Sequence, residues 1–237
     1  MSPSSIAQRL ADVEDRIAQA ARDNGRSPDD VKLISVSKTR DLPEIVEALK
    51  AGAVDLGENY AQEMIDKNEQ LFDMDGLPDV RWHFIGHLQR NKAKYLVHFC
   101  HLIHSVDSVR LVQELDRRAG QARRRQPILV QLDLAHEETK FGAYESELPE
   151  IVGAVLEAEN LDWRGLMCMA PYSDDPENSR PYYRRLAQIR DELSDDGVSS
   201  QHLQELSMGM SQDFEVAIEE GATMVRVGTA IFGPRES

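Results

Sequence analysis

"PILVQLDL", residues 127–134, is an almost unbroken apolar run. Such a run marks a strand covered on both faces, as in a parallel sheet; a half-exposed strand alternates apolar and polar. Helical patterns flank it, "VRLVQELDRRAGQARRR" before and "SELPEIVGAVLEAE" after, and Asp107 or Ser108 can cap the first of them. The alternation repeats outward in both directions. Strand candidates cover 31–37, 54–58, 80–86 and 101–106 upstream, then 161–169, 203–210 and 222–228 downstream. A helical pattern over about 5–24 precedes the first strand, and Pro43 and Gly52 bracket the next helix as start and stop. Eight strands alternating with helices predict parallel βαβ units. The expected fold is α/β, a (β/α)8 TIM barrel with an extra N-terminal helix. An open doubly wound sheet is the competing topology, but its GxGxxG fingerprint is absent. Neither a Pro/Ser-rich linker nor a composition shift divides the chain, so residues 1–237 are expected to form a single domain.

Composition narrows the function. Apolar residues make up 41% of 237, enough for one substantial core, and 27 Lys+Arg against 42 Asp+Glu leave a net charge of −15. That surface repels phosphate backbones and anionic lipid, which argues against nucleic-acid and membrane partners. No apolar run approaches the roughly 20 residues needed to span a bilayer. The first residues form an amphipathic helix pattern with no signal-peptide core. Cys100 and Cys168 stand far apart and read as small core hydrophobes in a reducing cytoplasm. Five histidines between 83 and 104 are dense, yet no pair has ligand spacing with carboxylate support, so no metal is expected.

A barrel gives each position a meaning, because sites of this architecture lie at the C-terminal strand ends. "LISVSKTR" (33–40) puts Lys38 there, Glu58 and Asn59 follow the second strand, and Met169 to Tyr172 follow the sixth. In "LSMGMSQDF", Ser207 and Ser211 offer hydroxyls and Gly209 permits close backbone approach. In "VRVGTAIFG", Gly228 and Thr229 repeat the arrangement. Loops after strands seven and eight are the usual phosphate site of the barrel. "YSDDPENSRPYY" reads as a loop over the mouth, and Lys140 and Gly142 in "TKFGA" are further mouth candidates. A lysine on one side and a phosphate cup on the other suit a ligand carrying both an aldehyde and a phosphate, since amines form Schiff bases with carbonyl compounds. Pyridoxal 5′-phosphate fits, and so does the sugar phosphate of a class I aldolase.

The motifs "LISVSKTR", "GENYAQE", "WHFIGHLQRNK", "IHSVDS", "GLMCMAPY" and "LSMGMSQDFEVAIEEGATMVRVGTAIFG" occur in order along the chain. In these it resembles the pyridoxal-phosphate homeostasis protein family, whose barrel is that of the alanine racemase N-terminal domain. The resemblance implies that Lys38 is the internal-aldimine lysine. It also implies that Ser207, Gly209, Gly228 and Thr229 hold the phosphate, that Arg226 approaches the pyridine nitrogen, and that Asn59 and Met169 line the cofactor. An arginine cannot accept a proton, so Arg226 would keep that nitrogen unprotonated and weaken the ring as an electron sink. The blander role for Arg226 is pairing with a neighbouring carboxylate. Alanine racemase adds a β-rich domain with a tyrosine base, and the expectation from the resemblance is that this chain, ending at Ser237, works without it. None of Tyr60, Tyr172, Tyr182 and Tyr183 is marked as a replacement. The expectation is a monomeric, cytoplasmic carrier that holds and delivers pyridoxal 5′-phosphate to apo-enzymes, with no catalytic residues of its own. A racemase of the same fold is the rival, an aldolase a more distant one.

Overall fold

The computed structural model describes residues 4–136 and 141–234. Eight parallel strands close into a barrel in chain order: β1 (Lys32–Val36), β2 (Asp55–Glu58), β3 (Arg81–Phe84), β4 (Leu102–Val106), β5 (Gln126–Leu132), β6 (Leu161–Cys168), β7 (Glu205–Ser207) and β8 (Met224–Val227). Closure comes from β1 lying beside β8, with Lys32 opposite Met224 and Ser35 opposite Val227. The helices between them are α2 (Leu42–Lys50), α3 (Ala61–Phe72), α4 (Arg90–Leu96), α5 (Val109–Gln121), α6 (Leu148–Glu157), α7 (Arg180–Asp195) and α8 (Phe214–Glu219), with α1 (Ile6–Asp23) ahead of the barrel and α9 (Thr229–Phe232) after it.

Some expected helices are shorter than their patterns: α6 loses residues at both ends, and α5 starts at Val109 as expected but stops at Gln121. The helix α8 starts at Phe214, and β7 holds three residues because the chain turns at Gly209. Gly209 has φ +93°, and a Cβ there would sit 2.6 Å from the Ala217 Cβ, so glycine serves the packing of this turn on α8. The helix α1 starts at Ser5, whose side chain accepts from the Gln8 N–H, and it buries Leu10, Val13, Ile17 and Ala21 against the barrel. That spacing of three and four is one helical face.

Two apolar regions result. The larger lies between sheet and helices and includes Trp82, Trp163, Phe84 and Phe214. The smaller is inside the barrel, where Leu102, Leu129, Met167 and Met224 meet. Strand alternation puts His104, Gln131, Met169 and Arg226, each two residues further along, on that inward face nearer the mouth. Among the described residues no helix is long and apolar enough to cross a membrane.

Candidate functional site

A cavity of about 570 Å³ opens at the C-terminal strand ends. Lys38, Asn59, Met169, Arg226, Gly228 and Thr229 all line it, so six of the eight expected residues converge there. Period-two register explains this for Lys38, which follows Ile34 and Val36 on the inward face of β1. Ser207 and Gly209 lie elsewhere. The Ser207 hydroxyl is fully buried inside the barrel, beneath the cavity, and Ser211 lines the cavity in the loop that follows. Lys140 lies outside the described residues. Gly142 sits against the end of β5, where a Cβ would meet the Asp133 amide nitrogen at 2.6 Å.

The turn that carries Lys38 is strained and braced. Thr39 adopts φ +61°, an outlier for a β-branched residue that costs about 1–3 kcal/mol and persists only where neighbours impose it. Its N–H donates to Glu63 Oε1 at 2.6 Å. Lys67 Nζ donates to Glu63 Oε1, to Glu58 Oε1 and to the Ser37 carbonyl, each at 2.7 Å, and the Ser37 hydroxyl donates to Glu58 Oε1 at 2.7 Å. Burial pushes the Glu58 carboxyl up, against the opposing pull of Lys67 and Ser37. This cluster was not anticipated. Its signal is the buried face of α3, where Ala61, Met64, Lys67 and Leu71 recur at helical spacing and a lysine occupies an apolar slot.

At the adjoining end of β8, next to β1, the Gly228 and Ala230 N–H groups converge on Ser211 Oγ at 3.2 and 3.4 Å. With the Thr229 and Ser211 hydroxyls they form a donor-rich pocket wall suited to an anion's oxygens. Deeper along β8, Arg226 lines the same cavity. Its Nη1 donates to Ser207 Oγ at 2.6 Å and its Nη2 to the Cys168 carbonyl at 2.9 Å. Among the described residues Arg226 forms no ion pair, so the carboxylate-paired role is not adopted. Asn59 Oδ1 is buried without a hydrogen-bond partner among the described residues, an acceptor waiting at the Lys38 end of the cavity.

The mouth loop is tied down. Asp175 caps the short turn Pro176–Ser179, Asn178 Nδ2 donates to Ser173 Oγ, and the Ser179 and Tyr183 hydroxyls both donate to Asp213 Oδ2 at 2.8 Å. The Tyr172 hydroxyl donates to Asp174 Oδ1 and accepts from Gln212 Nε2, each at 3.2 Å, while the ring stands 73% exposed at the rim.

Residues 10–236 match the family described as alanine racemase, N-terminal domain. The pyridoxal phosphate homeostasis protein of Aquifex aeolicus is 44% identical over 230 residues, covering 97% of this chain and 98% of that protein. The protein of the same name from Escherichia coli is 38% identical, covering 98% of each chain. Among solved structures, PipY of Synechococcus elongatus with pyridoxal 5′-phosphate bound superposes with TM-score 0.84 at 36% identity, over 97% of this chain and all of that one. Alanine racemase of Clostridium difficile shares the barrel alone, with TM-score 0.71, 18% identity and 57% of its own chain covered. Similarity of this depth along nearly the whole length assigns the chain to the family of pyridoxal phosphate homeostasis proteins.

Proposed function

We propose that this protein binds pyridoxal 5′-phosphate through Lys38 and serves cofactor homeostasis, holding and delivering the cofactor with residues 1–237 acting as one domain. When bound, the cofactor supplies an aldehyde for a lysine amine and a pyridine ring that accepts electrons. The observation that carries the reading is that one cavity is lined both by Lys38 and by the donor wall of Ser211, Gly228, Thr229 and Ala230. The Asn59 amide supports it, because its buried Oδ1 has no hydrogen-bond partner among the described residues and the side chain lines the same cavity, able to bond a polar substituent of the ring. Met169 would lie along the ring. Gly209 shapes the cup from behind, and Ser207 acts on it through Arg226. The relatives named for cofactor homeostasis, and the pyridoxal 5′-phosphate in PipY, agree with this assignment.

Arg226 also bears on catalysis. A guanidinium at the ring nitrogen donates and never gives up a proton, so the ring stays a weak electron sink. The protein is therefore read as a monomeric, cytoplasmic carrier whose partners are pyridoxal 5′-phosphate-dependent apo-enzymes. The test uses loaded protein. Borohydride reduction fixes cofactor on the Lys38 peptide, Lys38→Ala abolishes the visible absorbance, and a loaded sample restores an apo-enzyme given no free cofactor. Label on Lys32 would overturn the site. Turnover of amino acids above about 1 per second would overturn the carrier role in favour of an enzyme.

A further inference from the structure

Five buried side chains form one hydrogen-bonded line through the barrel, from its base to the mouth cavity. Asp55 Oδ1 meets His83 Nε2 at 2.9 Å, and His83 Nδ1 meets His104 Nε2 at 2.9 Å. His104 Nδ1 meets Ser207 Oγ at 2.8 Å, and Ser207 Oγ meets Arg226 Nη1 at 2.6 Å. His83, His104 and Ser207 are fully buried, Arg226 is 4% exposed and Asp55 6%. The members come from β2, β3, β4, β7 and β8, so the line crosses the barrel interior.

The two ends decide where every proton sits. A carboxylate can only accept and a guanidinium can only donate. Burial drives the pKa of both imidazoles down, which leaves each neutral with a single N–H. Asp55 therefore takes the His83 Nε2–H, and His83 Nδ1 becomes an acceptor. That acceptor takes the His104 Nε2–H, and His104 Nδ1 takes the Ser207 O–H. The Ser207 lone pairs are left facing Arg226. One arrangement satisfies all four bonds, each polarising the next.

We propose that His104 and His83 are positioning residues for Arg226: anchored on Asp55, they turn the Ser207 hydroxyl so that it accepts from the guanidinium and sets its orientation in the cavity. If His104 carried its proton on Nδ1, it would donate to Ser207, and the Ser207 O–H would have to point elsewhere. A merely structural role for the line would be satisfied by apolar filling, which commonly costs no stability relative to buried polar groups. The line instead ends on Arg226, a buried cation that lines the cavity. Lys32, Arg81 and Arg226 are the cations that act on the histidine pair and Asp55 is the anion; His101 also neighbours the pair, but burial pushes its own pKa down to about 4. The inference rests on the reading that Arg226 meets the cofactor ring, and its test has one arm that does not depend on that reading.

The first arm is imidazole ¹⁵N NMR of the cofactor-free protein. His83 and His104 are expected as neutral Nε2–H tautomers from pH 8 to pH 6, and an Nδ1–H tautomer or an imidazolium at either position overturns the relay. The second arm uses loaded protein. Ser207→Ala and His104→Leu should both speed cofactor release roughly 3- to 10-fold and shift the pH dependence of the visible absorbance in the same direction, and Ser207→Thr should restore both. A folded His104→Leu protein with wild-type release and absorbance overturns the positioning role, even if the tautomers are as expected. Failure of every variant and the wild type to take up cofactor refutes the function above, not the relay.

Discussion

The Ser37 carbonyl accepts a hydrogen bond from Lys67 Nζ at 2.7 Å, so a buried ammonium on α3 braces the turn from which Lys38 projects. The same ammonium binds Glu58 and Glu63, and Glu63 holds the N–H of the left-handed Thr39. One lysine is thus kept rigid so that another can be aimed.

Lys67→Met preserves the stem's packing and leaves the fully buried Glu58 unpaired. Breaking a buried pair from one side costs about 3–5 kcal/mol, which lowers Tm by roughly 6–20 °C in a chain of this size. Adding Glu58→Gln should return part of that loss, because no stranded carboxylate remains. Thermal unfolding of the two variants reads the difference. A Tm within about 2 °C of wild type for Lys67→Met alone would show that the brace contributes little.

Thr229→Val keeps the shape of the cup and removes one hydroxyl. Loss of a hydrogen bond to a phosphate oxygen should weaken pyridoxal 5′-phosphate binding by about 1.5–3 kcal/mol, roughly 10- to 150-fold. Pyridoxal without its phosphate should lose far less. Equilibrium titration with both ligands separates the cases, and equal loss for both would place Thr229 in packing instead of anion binding.

How much of this was legible in the sequence differs between backbone and side-chain levels. The barrel was readable because eight apolar runs and helical spacings alternate, and position at the C-terminal strand ends then singled out Lys38 and Asn59, whereas Arg226 was pointed to only by the family resemblance. The Ser207/Ser211 distinction was not readable. Both lie in "LSMGMS", and only the turn at Gly209 decides which hydroxyl drops into the barrel and which reaches the cavity. The line from Asp55 to Arg226 was equally hidden, since its members are scattered from 55 to 226 and meet only across a closed sheet. Density of histidines between 83 and 104 was visible, but their pairing depends on which strands face each other.

Gly86 joins β3 to the site by contact with Asn59. A Cβ at position 86 would sit 2.1 Å from the Asn59 carbonyl oxygen, so Gly86→Ala must push the β2 and β3 ends apart. Overpacking of that kind costs about 1–3 kcal/mol, and the displacement moves Asn59 away from the cavity. The variant should therefore lose both stability and cofactor affinity, read by urea unfolding and by titration. Unchanged affinity in a destabilised protein would mean that the Asn59 side chain does not contribute to binding.

Acid should destabilise this fold earlier than its carboxylates alone would cause. Burial depresses the pKa of His83, against the opposing hydrogen bond to Asp55, and holds His104 well below the usual imidazole range. In the unfolded chain both titrate near 6.5. As pH falls below about 6.5, the unfolded state binds protons that the folded state refuses, so stability must fall with pH. Burial likewise pushes His101 down, to about 4, so each of the three imidazoles contributes about 1.4 kcal/mol per pH unit until its folded pKa is reached. Above about pH 7.5 none of them contributes a slope. Asp55 acts in a separate, lower window. Burial raises its pKa, but hydrogen bonds from Arg81 and His83 outweigh that and hold the carboxyl well below its ordinary value, so its contribution is present above about pH 4 and lost only below. Urea midpoints measured from pH 8 to pH 5 should be flat to about 7 and then decline, and His104→Leu should remove roughly a third of the decline. Constant midpoints down to pH 5, or a rise toward acid, would mean that the interior histidines take up protons in the folded barrel, and the neutral Asp55–His83–His104–Ser207–Arg226 line would not exist.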